Sequence, residues 1–183
     1  MNPVAIFLAN GLEEIEALAV VDILRRALVT VDVVSITGTL EVTGSHDIRI
    51  IADKVIADID FDDYEMLILP GGMPGTTNLE ACKPLTDAVR AFDAAGKKLA
   101  AICAAPGILG RMGLMEGRRS CCYPGVDDQL KGAKVCAVET LTDGHITTGR
   151  SFGCAVPFGL EIVRVLLGED KAAQLKDEIV YMH

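Results

Sequence analysis

Short apolar runs alternate along this chain with stretches in which apolar residues recur every three or four positions. A largely uninterrupted apolar run is typical of a strand buried on both faces of a parallel sheet. Four such runs predict core strands, at residues 3–9, 31–36, 66–69 and 99–102. Because helical patterns separate successive runs, the chain is predicted to form βαβ units around a parallel sheet.

Apolar residues at helical spacing predict the helices of the fold. These run from the turn at Asn10 through Arg26, over 84–95, onward from Pro106, over 154–167 and over 169–176. Asn10 is predicted to cap the first helix, with Glu13 as its capping-box partner. Glu13 and Glu14 are expected to stay solvated at the helix N-terminus, whereas Glu16 lies nearer the apolar stripe and is expected to be partly buried.

Shorter segments with alternating patterns predict the remaining strands. Residues 40–43 and 47–51 alternate around a Gly-Ser-His turn, which predicts a small hairpin with His46 exposed at its tip. Further strands are predicted at 120–124, 135–138 and 145–148, the last preceded by an Asp-Gly turn.

These elements predict a single domain over residues 1–183, an α/β three-layer sandwich with a mostly parallel central sheet. Sites in such folds form at the carboxyl ends of the strands, and that edge gathers Gly72, Cys103, Tyr123 and Arg150. The glycine-rich loop at 70–75 has neither the P-loop lysine nor the Rossmann glycine spacing. A nucleotide-binding loop is therefore excluded, although its glycines allow a backbone N–H to approach a bound group closely.

Composition narrows the classes of function. A net charge of −9 and a pI near 4.8 argue against a nucleic-acid partner. No apolar run is long enough to span a membrane, and no basic segment precedes the first run, so a cytoplasmic protein is expected. The six cysteines show no Cys-x-x-Cys spacing, which favours reduced thiols over a zinc ribbon or a thioredoxin motif.

Cys103 occupies the most informative position. The apolar run 99–102 ends there, only Ala104 and Ala105 follow, and Pro106 suits the first turn of a helix. This is the strand–turn–helix pattern of a nucleophile elbow, with sulfur in place of oxygen. A helix N-terminus beside the thiol would lower its pKa, and the N–H after the nucleophile would face an oxyanion. Since free cysteines are mostly buried, this stretch alone still favours an inert core thiol.

Four motifs along the chain change that interpretation. They are Glu-Glu-x-Glu at 13–16, Leu-Pro-Gly-Gly at 69–72, Ala-Ala-Ile-Cys-Ala-Ala-Pro at 100–106 and Thr-x-Arg at 148–150. In this order and spacing they resemble the ThiJ/PfpI superfamily, and more closely its parkinsonism-associated deglycase branch. The resemblance covers nearly the whole chain, and the combination is far more specific than any one motif.

The resemblance implies a flavodoxin-like fold of the class I glutamine amidotransferase type, a homodimer, and Cys103 as the reactive residue. Glu16 matches the acid that contacts the thiol in this family, and Gly72 and Ala104 match the positions whose N–H groups form an oxyanion pocket. The implied chemistry needs no cofactor, and no metal is expected.

Three departures from the family pattern bear on the reaction. Ala104 stands where peptidase-like members have His, so Cys103 is predicted to lack the adjacent base that a peptidase needs. Tyr123 stands where the deglycase branch commonly has His, and His46 where relatives often have Arg. Phe152 lies beside Arg150 in a loop that relatives often spell Arg-Gly-Pro-Gly-Thr. Tyr123, Arg150 and Phe152 remain the candidate substrate-binding side chains.

Two functions from different classes follow. As an enzyme, the protein would add Cys103 to a small reactive carbonyl or a glycated substrate, with Glu16 moving the proton. As a redox sensor or protective protein, it would act through oxidation of Cys103, and an intracellular cysteine peptidase ranks below both. Cys122 and Cys154 flank Tyr123 and Phe152; the commoner interpretation is packing, and the alternative is a resolving thiol, with Cys122 favoured.

Overall fold

A seven-stranded sheet organises the computed structural model, which describes residues 2–182. The strands of the protein are β1 (Val4–Leu8), β2 (Val31–Ser35), β3 (Glu41–Thr43), β4 (Arg49–Ile51), β5 (Lys54–Val55), β6 (Met66–Leu69), β7 (Lys98–Ile102), β8 (Arg119–Ser120), β9 (Lys134–Val135), β10 (Thr140–Asp143) and β11 (Ile146–Gly149). The main sheet has the order β10-β11-β7-β6-β1-β2-β5, and every neighbouring pair is parallel except β10 with β11.

Helices cover both faces of this sheet. They are α1 (Glu14–Arg26), α2 (Gly75–Ala81), α3 (Lys83–Ala94), α4 (Pro106–Arg111), α5 (Ala155–Leu167) and α6 (Glu169–Glu178). Alternate residues of β1 point to opposite sides: Val4, Ile6 and Leu8 pack with α1, α5 and α6, whereas Ala5 and Phe7 pack with α2, α3 and α4. The predicted three-layer α/β sandwich with a mostly parallel sheet is confirmed.

The four apolar runs all form core strands, with ends within about one residue of the prediction. The weaker segments are less accurate. The strand predicted at 120–124 is wrong beyond Ser120, and that predicted at 135–138 reduces to β9. Strand β11 pairs with β7 on one side and with β10 on the other, and β10 was not predicted. The residues of β10 are mostly half-buried because it is the sheet edge, so it carries no apolar run. Helix α2 was also not predicted.

The predicted cap of the first helix is wrong. Helix α1 begins at Glu14, and Glu13 at its N-cap makes no side-chain capping bond. The side chain of Asn10 instead accepts a hydrogen bond from the N–H of Thr43, 3.0 Å away, which ties the β3–β4 hairpin to the end of β1. Gly11, with φ of +80°, turns the chain before the helix starts, so Asn10 lies too early to cap it.

The hairpin contact also corrects the expectation for Glu14. This residue is only 5% exposed because the tip of the hairpin covers it. Its carboxylate accepts a hydrogen bond from the backbone N–H of His46 (2.8 Å) and also pairs with Nδ1 of the His46 imidazole ring (2.9 Å). Burial raises the pKa of Glu14, but the hydrogen bonds from His46 outweigh burial and hold the pKa below its usual value. His46 is exposed, as expected, yet it serves as the partner of a buried acid.

None of the helices in residues 2–182 has the length and apolar character needed to cross a membrane. This agrees with the absence of long apolar runs from the sequence.

Candidate active site

Cys103 lies on a sharp turn between β7 and α4, at the carboxyl edge of the central sheet. Its backbone is in the left-handed region, with φ of 65°, which costs a non-glycine residue roughly 1–2 kcal/mol. Two hydrogen bonds fix this turn: the N–H of Cys103 donates to the carbonyl of Gly149 (3.0 Å), and the N–H of Tyr123 donates to the carbonyl of Cys103 (2.8 Å). The strained backbone therefore holds the thiol in one position at the end of a core strand.

Glu16 reaches the same edge from α1 and is completely buried. Its Oε2 accepts a hydrogen bond from the N–H of Gly71, 2.9 Å away. Its Oε1 is buried without a conventional hydrogen-bond partner among the described residues, and the remaining close interaction of the carboxyl is with the Cys103 thiol. An unsatisfied carboxyl oxygen in the core lowers the stability of the fold, and groups of this kind are found mainly at functional sites.

Gly71 is the residue that lets the acid and the thiol meet. A Cβ atom added there would lie 2.6 Å from Oε2 of Glu16 and 2.7 Å from Cβ of Cys103. Both distances are too short for real contacts, so the two side chains occupy the space that any larger residue at 71 would need. The sequence drew attention to this glycine-rich loop but did not assign Gly71 a role.

Two backbone N–H groups approach the sulfur, those of Gly72 and Ala104. Each of these N–H groups favours the thiolate and so lowers the pKa of Cys103. Gly72 has φ of +88°, and a Cβ there would lie 2.1 Å from the backbone nitrogen of Glu13, so only glycine fits. These are the two positions that the sequence resemblance assigned to an oxyanion pocket.

The pKa values of the acid and the thiol are both raised. Burial raises the pKa of Glu16 to about 7, against the opposing hydrogen bonds from Cys103 and Gly71. Burial and the negative charge of Glu16 raise the pKa of Cys103 to about 12, more than the N–H groups of Gly72 and Ala104 lower it. The lowered pKa expected from the sequence is therefore wrong for the thiol beside an ionised Glu16. Helix α4 is too short, and the site too buried, for the helix N-terminus to dominate.

The two groups titrate together because they interact strongly. The pair loses its first proton near pH 7, the pKa of Glu16, and then carries a single negative charge. In the form with the proton on Glu16, the sulfur is a thiolate next to two N–H donors. This is a nucleophile with a proton carrier in contact with it.

The three candidate substrate-binding side chains, Tyr123, Arg150 and Phe152, lie in three different surroundings. Tyr123 is 51% exposed and borders a groove together with Ala104. Phe152 is 56% exposed, on a short 3-10 turn that precedes α5. Arg150 follows β11, and its charge acts on the thiols of Cys121 and Cys122, whose pKa values it lowers against the larger effect of burial. The described contacts show no hydrogen bond from Arg150 to Cys103 or Glu16.

The candidate resolving thiols are both buried, and all six cysteines are free. Cys122 packs in the cluster beneath α2, α3 and α4, whereas Cys103 packs against the cluster on the opposite face of the sheet. Burial raises the pKa of Cys122 to about 11, which leaves it protonated at neutral pH. These observations favour packing for Cys122, and a resolving role for Cys122 or Cys154 stays a prediction.

The two histidines that the structure describes are engaged elsewhere. His145 pairs through Nε2 with Asp93 at 2.8 Å, and its carbonyl accepts from Leu99 near the start of β7, whereas Cys103 follows the end of that strand. His46 pairs with Glu14, and His183 lies outside the described residues. The described part of the chain thus supplies no imidazole base to Cys103.

One group of described residues has the composition of a metal site. Ligand atoms of Glu13, Glu14 and His46 lie within 4.8 Å of one another at the hairpin tip. The hydrogen bonds between Glu14 and His46 already account for this geometry, and the group does not include Cys103. The acid–thiol pair itself consists of one carboxyl and one thiol, too few ligands for a metal centre.

A groove of about 350 Å³ adjoins the elbow and was missed by sequence reasoning. It runs between α2 and α4, past Ala104 and Tyr123. Helix α2 carries mainly polar residues on this side, including Thr77 and Glu80, so the sequence has no apolar periodicity that would predict this helix or the groove beside it. A larger cavity of about 540 Å³ lies beyond Arg111 and contains none of the predicted site residues.

The amino-acid sequence is similar to those of known proteins over nearly its whole length. The sequence pattern of the DJ-1/PfpI family matches residues 2–165. Protein DJ-1 homolog B of Arabidopsis thaliana is 38% identical over 180 residues, which are 97% of this chain and 41% of that protein. Protein dj-1beta of Drosophila melanogaster is 33% identical over 172 residues, 93% of this chain and 92% of that protein.

A solved structure shows the same likeness. Oxidized DJ-1 of Toxoplasma gondii superposes with a TM-score of 0.95 at 31% sequence identity, covering 100% of both chains. The chain spans less than half the length of the Arabidopsis relative but nearly the full length of the Drosophila and Toxoplasma proteins.

Proposed function

The chain belongs to the DJ-1/PfpI family, and on that premise we propose that it acts on small reactive carbonyls through Cys103, as a cofactor-independent glyoxalase or a protein deglycase. The observation that supports this most strongly is the contact between a strained cysteine and a fully buried acid whose pKa is raised to about 7. A general acid–base works best when its pKa lies near the working pH.

The proposed reaction with methylglyoxal uses only groups of this site and water. The Cys103 thiolate adds to the aldehyde carbon, forming a C–S bond, and the carbonyl oxygen takes up a proton to give a hemithioacetal. Glu16 removes the proton from that carbon and returns it to the neighbouring one. The hydroxyl proton passes to the neighbouring oxygen at the same stage, which converts the adduct to a lactoyl thioester. Water then cleaves the C–S bond, releasing lactate and the thiol. The overall change is addition of one water, with no external oxidant.

Gly72 and Ala104 have a defined part in this scheme. Their N–H groups stabilise the thiolate in the free protein, and the same donors are available to the oxygen that becomes negative when the sulfur attacks. Tyr123 stands where the deglycase branch commonly has histidine, so that position offers no imidazole base. Glu16 is therefore proposed to carry all proton transfers.

The decisive experiment measures lactate formed from methylglyoxal. The parent protein is expected to produce lactate in proportion to enzyme concentration, and Cys103→Ser to produce none above the spontaneous rate. Cys136→Ser is the matched control, because Cys136 is a free thiol far along the chain with no contact to the acid–thiol pair in the described structure. Lactate formation that survives in Cys103→Ser would refute the proposal.

A second candidate function is redox sensing through Cys103. It is favoured by the partial exposure of this thiol beside an acid that is able to hydrogen-bond an oxidised sulfur, and the similar Toxoplasma protein was solved in an oxidized state. After stoichiometric peroxide, peptide mapping is expected to find oxidation at Cys103 first. A Cys103–Cys122 or Cys103–Cys154 disulfide would establish a resolving thiol, whereas sulfinic acid alone on Cys103 would leave both cysteines as packing residues.

We also propose that the protein forms a homodimer. Helix α1 exposes Ile15 and Leu18, and the β3–β4 hairpin exposes Ile48 and Ile51, so two elements that lie next to each other carry large exposed apolar side chains. The hairpin is fixed to the start of α1 by the bond from Ser45 N–H to the Leu12 carbonyl. Light scattering is expected to give twice the chain mass, and Leu18→Asp a monomer; a monomeric parent at micromolar concentration would contradict the proposal.

A further inference from the structure

The groove beside the elbow leads away from the reactive sulfur for the length of α4. One end is bordered by Ala104 and Tyr123, next to Cys103, and the other by Glu80, Arg111 and Gln129. Helix α4 begins two residues after Ala104 and ends at Arg111, and its 6 residues span about 9 Å at the helical rise of 1.5 Å per residue. A three-carbon dicarbonyl bound at Cys103 would leave most of this groove empty.

The far end of the groove presents hydrogen-bond donors without net charge. Nε and Nη2 of Arg111 donate to the two carboxylate oxygens of Glu80, both at 2.7 Å, and Nη1 donates to the amide oxygen of Gln129. Within the described structure these contacts use three of the five N–H groups of the guanidinium, leaving one on Nη1 and one on Nη2. Because Glu80 neutralises Arg111, the remaining donors suit a neutral carbonyl oxygen better than a second carboxylate.

Gly107 lies directly against three of the residues that line the groove. A Cβ atom at this position would lie 2.6 Å from Oε1 of Gln129, 3.0 Å from Cγ1 of Val126 and 3.1 Å from Nη1 of Arg111. Any side chain at 107 would therefore displace three residues of the groove wall, although Gly107 has ordinary helical backbone geometry and lies within α4. The groove depends on a glycine that the helix itself does not require.

We propose that this groove binds the peptide backbone next to a reactive carbonyl, with Arg111 donating to a peptide oxygen. The preferred substrate would then be a carbonyl adduct carried on a peptide rather than a free dicarbonyl. The inference rests on the proposed function only in taking Cys103 as the reacting group. Arg111 is a specificity-determining residue in this view, since it acts on the substrate at the opposite end of α4 from the bond that forms.

Alkylation of Cys103 tests binding in the groove without requiring the protein to complete a catalytic cycle. Iodoacetamide and N-iodoacetyl-glycylglycinamide react identically with a thiolate: the sulfur forms a bond to carbon and iodide leaves. Only the second carries a peptide long enough to lie in the groove. The parent is expected to react at Cys103 about tenfold faster with the peptide reagent, with saturation at high concentration; equal and unsaturated rates would overturn the proposal.

Variants of the groove test the residues named. Arg111→Gln is expected to lower the ratio of the two rates about tenfold, as for the loss of one charge-assisted hydrogen bond, and Gly107→Ala to lower it by narrowing the groove. Arg90→Gln is the matched control: Arg90 is an exposed arginine on α3 that donates to the Met112 carbonyl outside the groove. A ratio unchanged in both Arg111→Gln and Gly107→Ala would refute the assignment.

A binding measurement keeps this test independent of cysteine chemistry. In Cys103→Ser protein, titration with N-acetyl-glycylglycinamide is expected to shift the side-chain amide resonance of Gln129 and not to do so in the Arg111→Gln background. Binding without lactate formation would support the groove while removing the glyoxalase proposal. Lactate formation without binding would refute the groove assignment and support the glyoxalase proposal.

Discussion

Replacing Glu16 by Gln is expected to stabilise the folded protein at pH 8 while removing most of its activity. The pKa of Glu16 rises from an ordinary value of 4.5 to about 7 on folding. Between these values the folded state binds a proton that the unfolded state has lost, so stability falls as pH rises through this window. A neutral Gln avoids that loss, which amounts to ~3 kcal/mol above pH 7.

The measurement is urea unfolding at pH 5 and pH 8. The stability gain of Glu16→Gln is expected to be large at pH 8 and mostly absent at pH 5, because the acid is largely protonated in the folded protein at the lower pH. The buried, unsatisfied Oε1 adds to the cost that an ionised Glu16 imposes on the fold. A variant less stable than the parent at pH 8 would contradict the burial of a charged carboxylate.

Glu14 provides a control of opposite sign on the same helix. It too is buried, but its hydrogen bonds with His46 hold its pKa below the usual value despite burial. Its contribution to stability is present above the unfolded pKa and is lost as pH falls through the lower folded value. Glu14→Gln is therefore expected to destabilise the protein at pH 8, so the two glutamines should move stability in opposite directions.

The activity of Glu16→Gln should fall for a reason unrelated to stability. Gln donates and accepts hydrogen bonds, but it does not carry a proton between carbons, so kcat for lactate formation is expected to drop at least 100-fold with little change in KM. Alkylation of Cys103 in the parent should rise with a midpoint near pH 7, the first ionisation of the pair. In Glu16→Gln the inflection near pH 7 should disappear, because the group that ionises there is gone.

The sequence predicted well those features that depend on one segment at a time. Strands β1, β2, β6 and β7 are buried on both faces, so their apolar character is visible without knowledge of their partners. The elbow was also predicted, because three consecutive features mark it in the sequence. The apolar run indicates a strand, the two alanines a tight turn, and Pro106 the start of a helix. Edge strand β10 and polar helix α2 give no such signal.

Features that depend on contact between two distant segments were not predicted from the sequence. Glu14 looks like a solvated helix-start acid until the hairpin brings His46 onto it from 32 residues away. The raised pKa of Cys103 likewise follows from burial against Glu16 of another helix, whereas the sequence showed only the adjacent helix start. Family resemblance pointed to Glu16 and Cys103 together, and the structure brings these two side chains into contact. The sign of the shift in the thiol pKa, however, required the packed structure.

Gly71→Ala is expected to separate the acid from the thiol and to lower activity about 100-fold, the cost of misplacing a catalytic group by roughly 1 Å. The new Cβ would lie 2.6 Å from Oε2 of Glu16, 2.7 Å from Cβ of Cys103 and 3.0 Å from the Ile102 carbonyl. None of these atoms is the free end of a flexible side chain in open space. Relief of the overlap must therefore shift either reacting residue, at a stability cost of about 1–3 kcal/mol.

The matched control is Gly153→Ala, the same substitution where a Cβ would meet nothing within 4 Å. It should leave the unfolding midpoint and the lactate and alkylation rates near those of the parent. In Gly71→Ala the alkylation midpoint should also move away from pH 7, because Glu16 would lose its hydrogen bond from the Gly71 N–H and its contact with the sulfur together. If Gly71→Ala kept both the parental lactate rate and the parental midpoint, the acid and the thiol would not act as one unit, and proton transfer by Glu16 would have to be abandoned.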